Sequence, residues 1–266
     1  MASSELLVAA AGDVLHIILN RPAKRNALTR GMLHELLQVL GDLPRGTRLI
    51  VLRATGTVFC AGMDLQEMQD TAALPNAADQ WQNDADIYRQ VLETLTFAPC
   101  PTLCVVQGPA LAGGVGLVLA CDMVLATETA SFSLPEPKRG IVAAMVLPLL
   151  VLRIGQGPAS WLLLSGQTLF PEDARRYGLI HQATSGATIE QDLSAAITAV
   201  LTGAPGALNS TKQQLLNPIA ERLRSDWDSA AQVSAAARTQ PEAREGLQAF
   251  LEKRAPQWVS DPDSPR

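Results

Sequence analysis

Residues 107–122, QGPALAGGVGLVLACD, contain the pattern that decides the fold. The apolar residues 102–106 in front of this stretch predict a buried strand, and residues 107–112 predict a loop. The uncharged residues 113–120 then predict a buried helix. The first N–H groups of a helix lack intrahelical acceptors, and the helix dipole favours negative charge beside them. The segment therefore predicts a strand–loop–helix unit that can hold a negatively polarised oxygen.

Strand and helix patterns alternate around this unit, which predicts an α/β core. The other predicted strands are residues 14–19, 48–54, 123–126 and 130–133, and the other predicted helices are residues 30–40, with Thr29 as cap, and 87–95. Residues 66–86 have weak periodicity and predict a mobile flap. After residue 185 only helical patterns remain, over residues 188–202, 205–216, 218–237 and 241–253. The chain is thus divided into an α/β core, residues 1–187, and an all-helical region, residues 188–266.

Composition narrows the function classes. The 266 residues are 47% hydrophobic and 18% charged, which predicts a folded chain with a large core. The net charge of −5 argues against nucleic acid as a partner. The four cysteines lie in apolar surroundings without zinc-ligand spacing, so no metal site is expected. The start lacks a signal-peptide pattern, and Pro and Gly interrupt the uncharged residues 94–121, so we expect a cytoplasmic protein without a membrane partner.

A second Gly-containing turn, residues 60–65 (CAGMDL), also follows a predicted strand. Two such turns could point backbone N–H groups at one oxygen, which is the arrangement of an oxyanion hole. Most Gly-rich turns are only turns, so the two patterns alone leave this open. The chain has no dinucleotide-binding, P-loop or nucleophile-elbow motif, and its three histidines are scattered.

Five segments, in the same order along the chain, resemble the crotonase superfamily, the enoyl-CoA hydratase/isomerase family. They are residues 20–28 (NRPAKRNAL), 59–65 (FCAGMDL), 107–122, 131–140 (SFSLPEPKRG) and 245–254 (EGLQAFLEKR). The resemblance implies a spiral core of ββα units and a C-terminal helical trimerisation region. It implies a homotrimer or hexamer that acts on an acyl-CoA, or on an acyl-carrier-protein thioester. Coenzyme A is then part of the substrate, and no separate cofactor is expected.

The resemblance also implies the site residues. The N–H groups of Met63 and Gly113 would hold the thioester oxygen, where charge develops when the reaction passes through an enolate. The positions that cradle the adenine and pantetheine are Lys24, Ala27, Ala61, Asp64 and Leu65, with backbone contacts expected at the last two. A solvated surface lysine would equally explain Lys24. Phe250 and Lys253 correspond to positions at which a neighbouring subunit often completes the CoA site, although a plain amphipathic helix would also explain them.

The acid/base residues bear on the reaction. Hydratases of this family commonly carry two glutamates, and this chain has Gly116 at the first position and Glu136 at the second. Glu136 is the expected general acid/base, with a pKa raised by an apolar pocket. We rank enoyl-CoA hydration or 3-hydroxyacyl dehydration of a short or branched acyl group first and Δ3,Δ2-enoyl-CoA isomerisation second. Decarboxylation, hydrolysis and a non-catalytic binding role rank lower. The predicted acyl-pocket walls include Met68, Trp81, Met145 and Leu149.

Overall fold

A six-stranded sheet forms the centre of the computed structural model, which describes residues 4–259. The strands lie in the order β1-β2-β3-β4-β6-β9, and all neighbours are parallel except β1 and β2. Their bounds are β1 Leu6–Ala11, β2 Val14–Leu19, β3 Leu49–Ala54, β4 Thr102–Val106, β6 Met123–Thr127 and β9 Gln182–Thr184. β1 was not predicted; it forms a hairpin with β2 around Gly12, whose φ of +59° favours glycine.

A small second sheet carries the loop in front of the buried helix. It consists of β5 Pro109–Leu111, β7 Ser131–Ser133 and β8 Thr168–Leu169 in the order β5-β7-β8. β5 and β7 pair in parallel, which brings the loop after β4 beside the segment that leads to Glu136. Two distant parts of the sequence therefore meet at one end of the main sheet.

Ten α-helices lie within the described residues. They are α1 Arg30–Gly41, α2 Leu65–Ala72, α3 Ala77–Thr96, α4 Gly113–Ala120, α5 Leu147–Ile154, α6 Gln156–Ser165, α7 Pro171–Tyr177, α8 Ile189–Leu201, α9 Pro205–Arg238 and α10 Pro241–Leu251. The predicted α/β class is confirmed. No helix in residues 4–259 combines the length and the apolar character that crossing a membrane requires.

Two predictions about regions that are helical in the structure were wrong. The predicted flap, residues 66–86, consists of α2 and the first half of α3. Its polar residues hid a narrow buried stripe that includes Trp81, Asp84 and Ala85. The helices predicted over 205–216 and 218–237 are one helix, α9, which continues through Pro218. Proline cannot donate to the carbonyl four residues earlier, but Gln214 is exposed, so water can satisfy that oxygen.

Both faces of the main sheet are buried. Alternate residues of β3 point to opposite sides: Ile50 and Leu52 belong to the larger core with α1, α3 and α4, whereas Leu49 and Val51 pack with α8. α9 packs along α3. The helices after residue 187 therefore contact the α/β core directly. The assignment of residues 188–266 to oligomerisation stays a prediction, and residues 260–266 lie outside the described part of the chain.

Candidate active site

Two turns meet at the end of the small sheet. Cys60 pairs with Ala110 in a parallel bridge, which sets the turn of residues 60–65 against the loop before α4. Gly62 has a φ of +87°, and a Cβ placed on it would lie 2.8 Å from the Cβ of Ala112. That Cβ would also lie 3.5 Å from the backbone N of Gly113. The missing side chain of Gly62 therefore allows the two backbones to approach each other.

Each turn presents an unused backbone donor. Leu28 N donates to Gly62 O (2.8 Å), and Asp64 N donates to Leu28 O (2.9 Å), so the N–H of Met63 between them points to the other side. Gly113 is the first residue of α4, where N–H groups have no intrahelical acceptor. Within residues 4–259, neither N–H has a hydrogen-bond acceptor. This pair can donate to one ligand oxygen.

The residue before Gly113 has a strained backbone. Ala112 has φ +50° and ψ −122°, a combination that costs an L-residue about 1–3 kcal/mol. Two hydrogen bonds hold it: Ala112 N donates to Ser133 O (2.9 Å), and Ala112 O accepts from Val115 N (2.9 Å). The surrounding structure thus fixes the direction of the Gly113 N–H before any ligand arrives.

Glu136 has the burial and the raised pKa expected of a general acid/base. It begins the short 3-10 turn Glu136–Arg139, only 8% of the residue is exposed, and its Oε2 has no hydrogen-bond partner among the described residues. Burial raises the pKa of Glu136 from its ordinary 4.5 to about 7. The carboxyl group can therefore accept and release a proton near neutral pH.

Tyr88 fills the space beside Gly116. Its hydroxyl donates to Gly113 O (2.5 Å), and a Cβ placed on Gly116 would lie 2.1 Å from the hydroxyl oxygen. Burial raises the pKa of Tyr88 well above its ordinary value, so the hydroxyl stays a neutral donor. The sequence carries no signal for this residue, because only the fold places α3 against α4.

A cavity of about 670 Å³, here called the large cavity, is lined by residues of both turns. It shares lining residues, among them Met63 and Glu136, with an inner cavity of about 70 Å³. The large cavity is lined by most of the predicted site residues: Lys24, Ala27, Ala61, Met63, Asp64, Leu65, Glu136 and Phe250. The inner cavity is lined by Gly113 together with Met63 and Glu136. The predicted donors and the predicted acid/base therefore share one space. Lys253 lies outside the lining of both cavities.

Three of the four residues predicted to form walls of the acyl pocket line a cavity. Met68 and Trp81 line both cavities, and Met145 lines the inner one. Leu149 was wrongly included, because it lies in the hydrophobic core on α5.

Asp64 has a structural task. Its carboxylate caps α2 by accepting from Gln66 N and Glu67 N, and it pairs with Arg21 Nη1 at 3.0 Å. Burial raises the pKa of Asp64, but these hydrogen bonds outweigh burial and leave the pKa below its ordinary value. A contact of this residue with a ligand would therefore come from the backbone.

The mouth of the large cavity is basic although the chain is acidic. It is lined by Lys24, Arg25, Arg139 and Arg244. Phe250 of α10 lies against Arg139, with the guanidinium carbon 3.4 Å from the ring centroid. Here Phe250 comes from the same chain as the cavity. Such a mouth can attract a phosphate-bearing ligand. Residues 4–259 contain no cluster of three or more His, Cys, Asp or Glu that could hold a metal ion.

Comparisons with known proteins agree with this geometry. The family model for enoyl-CoA hydratase/isomerase matches residues 9–261. A putative enoyl-CoA hydratase of Thermus thermophilus is 35% identical over 93% of this chain and 98% of its own. The 2,3-dehydroadipyl-CoA hydratase of Escherichia coli is 34% identical over 96% and 98%. The crystal structure of an enoyl-CoA hydratase from Mycobacterium avium superposes with a TM-score of 0.86 at 30% identity, covering 97% of this chain and 100% of that one. The expected crotonase-like fold is confirmed.

We predict that Glu136→Gln stabilises the protein at pH 8 much more than at pH 5. Because folding raises the pKa of Glu136 from 4.5 to about 7, the folded state binds more protons in that window, and stability falls as pH rises through it. At about 1.4 kcal/mol per pKa unit, the free energy of unfolding of the wild type falls by roughly 3 kcal/mol by pH 8. The variant avoids this loss because Gln cannot ionise. Urea unfolding of both proteins at the two pH values measures the difference. The exposed Glu172 provides the control Glu172→Gln. A difference in stability that does not change with pH would contradict the assigned burial of the charge.

Proposed function

Because the chain belongs to the enoyl-CoA hydratase/isomerase family, as its sequence suggested, we propose that it adds water to, or removes it from, short or branched acyl thioesters. One observation carries the proposal: Glu136 lines the inner cavity with the N–H donors and has no basic partner within 4 Å among residues 4–259. The other carboxylate in that lining, Asp84, is bound to Arg30 (Nε to Oδ1, 2.6 Å). Curated relatives named as hydratases support the same ranking.

Dehydration of a 3-hydroxyacyl thioester needs one proton-transfer group. The thioester oxygen accepts from the N–H groups of Met63 and Gly113, and the ionised Glu136 takes a proton from Cα. The resulting enolate charge rests on the oxygen, where each donor contributes about 3–4 kcal/mol. The enolate electron pair then forms the Cα–Cβ double bond as the Cβ–O bond breaks. The proton on Glu136 passes to the leaving hydroxide, giving water. Hydration is the reverse.

This route explains why one carboxylate is enough. In dehydration the leaving oxygen is attached to the substrate, so no second side chain has to hold a free water molecule. Tyr88 occupies the place from which a carboxylate on residue 116 would act. A buried, proton-competent Glu136 also argues against a purely binding role.

The same observation at Tyr88 favours a second candidate, Δ3,Δ2-enoyl-CoA isomerisation. In that reaction Glu136 takes the proton from Cα of a 3-enoyl thioester and returns it to Cγ, with no water involved. The two candidates share the enolate and differ in which atom receives the proton. A panel of short 3-hydroxyacyl-CoAs and 3-enoyl-CoAs, assayed by the absorbance of the conjugated 2-enoyl product, separates them. Conversion of only the 3-enoyl substrates would overturn dehydration as the first choice.

The basic mouth of the large cavity supports CoA, rather than an uncharged thiol, as the carrier. Lys24 and Arg25 lie in the short segment that also provides Ala27, and Arg244 approaches from α10. Positive side chains in a cavity can bind the phosphates of a nucleotide, and the apolar inner cavity can hold the acyl group. An acyl-carrier-protein thioester presents a phosphopantetheine and remains the alternative carrier.

We predict the same pH limb in both directions. Dehydration starts with ionised Glu136, which takes the Cα proton, and hydration starts with ionised Glu136, which takes a proton from water. For both the 3-hydroxyacyl-CoA and the 2-enoyl-CoA, kcat/KM should therefore rise as pH increases through about 7. Initial rates between pH 5.5 and 8.5 test both. A kcat/KM that falls or stays level over this range would contradict Glu136 as the single proton-transfer group.

We predict that Gly116→Glu alone creates no better hydratase. Its Cβ would collide with the hydroxyl of Tyr88, so the variant should lose stability and activity. Tyr88→Ala removes the obstacle, and the double variant should then hydrate a short 2-enoyl-CoA faster than Tyr88→Ala does. Circular dichroism and absorbance assays on all three variants measure these effects. A folded Gly116→Glu protein with faster hydration than the wild type would show that Tyr88 does not block this position.

We propose a homotrimer or hexamer, supported by apolar side chains that the single chain leaves exposed. Leu164 and Trp161 of α6 are 83% and 61% exposed. Light scattering should give a mass of three or six 28.3 kDa chains. Leu164→Glu should dissociate the assembly, since burying an unpaired charge is unfavourable. Gln156→Glu, at an exposed position of the same helix, should leave it intact. A monomeric wild type at micromolar concentration would contradict the proposal.

A further inference from the structure

Arg238, the last residue of α9, places a positive charge at the acyl end of the site. The half-buried side chain lines both the large and the inner cavity. Its Nη1 donates to Ser234 O (2.9 Å) and to the Ser234 hydroxyl, and its guanidinium carbon lies 5.7 Å from the ring centroid of Trp81. These contacts orient the guanidinium without neutralising it.

No carboxylate in the described part of the chain forms an ion pair with this group. Across residues 4–259, no carboxylate oxygen lies within 4 Å of an Arg238 nitrogen. Asp84 is bound by both Nε and Nη2 of Arg30, at 2.6 and 2.7 Å, and also accepts from Gln80. Glu136 also lines the cavity, but its pKa of about 7 leaves it partly neutral. An arginine keeps its charge in proteins, and partial burial of an unpaired charge is unfavourable. A ligand with a negative charge would provide the missing partner.

The position of Arg238 separates it from the basic mouth. Lys24, Arg25 and Arg244 line the large cavity only, whereas Arg238 shares the inner cavity with Glu136 and Gly113. A thioester bound to the N–H groups would direct its acyl chain into this space. An anion that reaches Arg238 from there belongs to the acyl group and not to the nucleotide.

We propose that Arg238 binds a carboxylate at the far end of the acyl group, so that the substrate class is CoA monothioesters of short dicarboxylic acids. The inference rests on the proposed function for the placement of the thioester. A guanidinium matches a carboxylate with two parallel hydrogen bonds, and the contacts to Ser234 and Trp81 hold it ready for that geometry. Arg238 is thus a specificity-determining residue, whereas Glu136 performs the proton transfer.

The test measures binding of saturated thioesters, which cannot react. Succinyl-, glutaryl- and adipyl-CoA are each compared by calorimetry with a neutral mimic in which an isopropyl group replaces the terminal carboxylate. In the wild type, the best of the three should bind about 10- to 100-fold more tightly than its mimic. Arg238→Met should remove that preference, and Arg238→Lys should retain part of it. The control Arg222→Met changes an arginine of α9 whose side chain is 84% exposed and should retain the full preference.

Three results would overturn the inference. The first is that the wild type binds all neutral mimics as tightly as the acids, and this comparison decides even where a variant does not fold. The second is that Arg238→Met keeps the wild-type preference. The third is that Arg238→Met weakens the binding of free CoA by the same factor as the binding of the acid thioesters, which would assign Arg238 to the phosphates. A preference that depends on Arg238, without turnover of the matching 3-hydroxyacyl-, 2-enoyl- and 3-enoyl-CoAs, would confirm the binding site and refute the proposed function instead.

Discussion

The close approach of the backbone at Gly62 to the backbone at Ala112 is the contact on which the rest of the site depends. It brings two unused N–H groups, on Met63 and Gly113, to the same cavity from segments about 50 residues apart in the sequence. A side chain at Gly62 would push them apart, and the strained Ala112 shows that the chain tolerates a local cost of about 1–3 kcal/mol to keep the approach. The two sheets stabilise it, because strand pairing fixes where each turn lies.

The protonation behaviour of Glu136 depends on its burial in the cavity beside that contact. Tyr88 and Glu136 line the same inner cavity, and burial raises the pKa of Glu136 to about 7, so one carboxyl group can act as acid and as base. A charge pair is stronger where water is excluded, and this supports the proposal that Arg238 binds a negatively charged acyl end. In the proposed reaction, proton transfer, oxygen binding and specificity come from different elements: the turn after β7, the start of α4 and the end of α9.

Local patterns predicted much of this structure. The uncharged residues of α4 and the strand after them are visible in the sequence because each depends on neighbours along the chain. Glu136 was singled out by the resemblance of residues 131–140 to the family and not by a local pattern. Tyr88 and Arg238 are not visible in that way, since their roles arise only where α3 and α9 meet α4 and the inner cavity. α2 and the start of α3 were missed because their buried stripe is narrow, and Pro218 misleadingly suggested a break in α9. Phe250 lines the large cavity of its own chain, and its contribution to a neighbouring subunit stays a prediction.

The central claim is that Glu136 removes the Cα proton of a thioester whose oxygen is held by the two backbone N–H groups. Exchange of that proton for deuterium tests it without requiring the natural substrate. Glutaryl-CoA is incubated with the protein in D₂O, and proton NMR follows the loss of the Cα signal. The account predicts exchange by the wild type and a rate about 10²–10⁴-fold lower for Glu136→Gln. Equal exchange rates for the two proteins, with both folded and both binding the thioester, would contradict it.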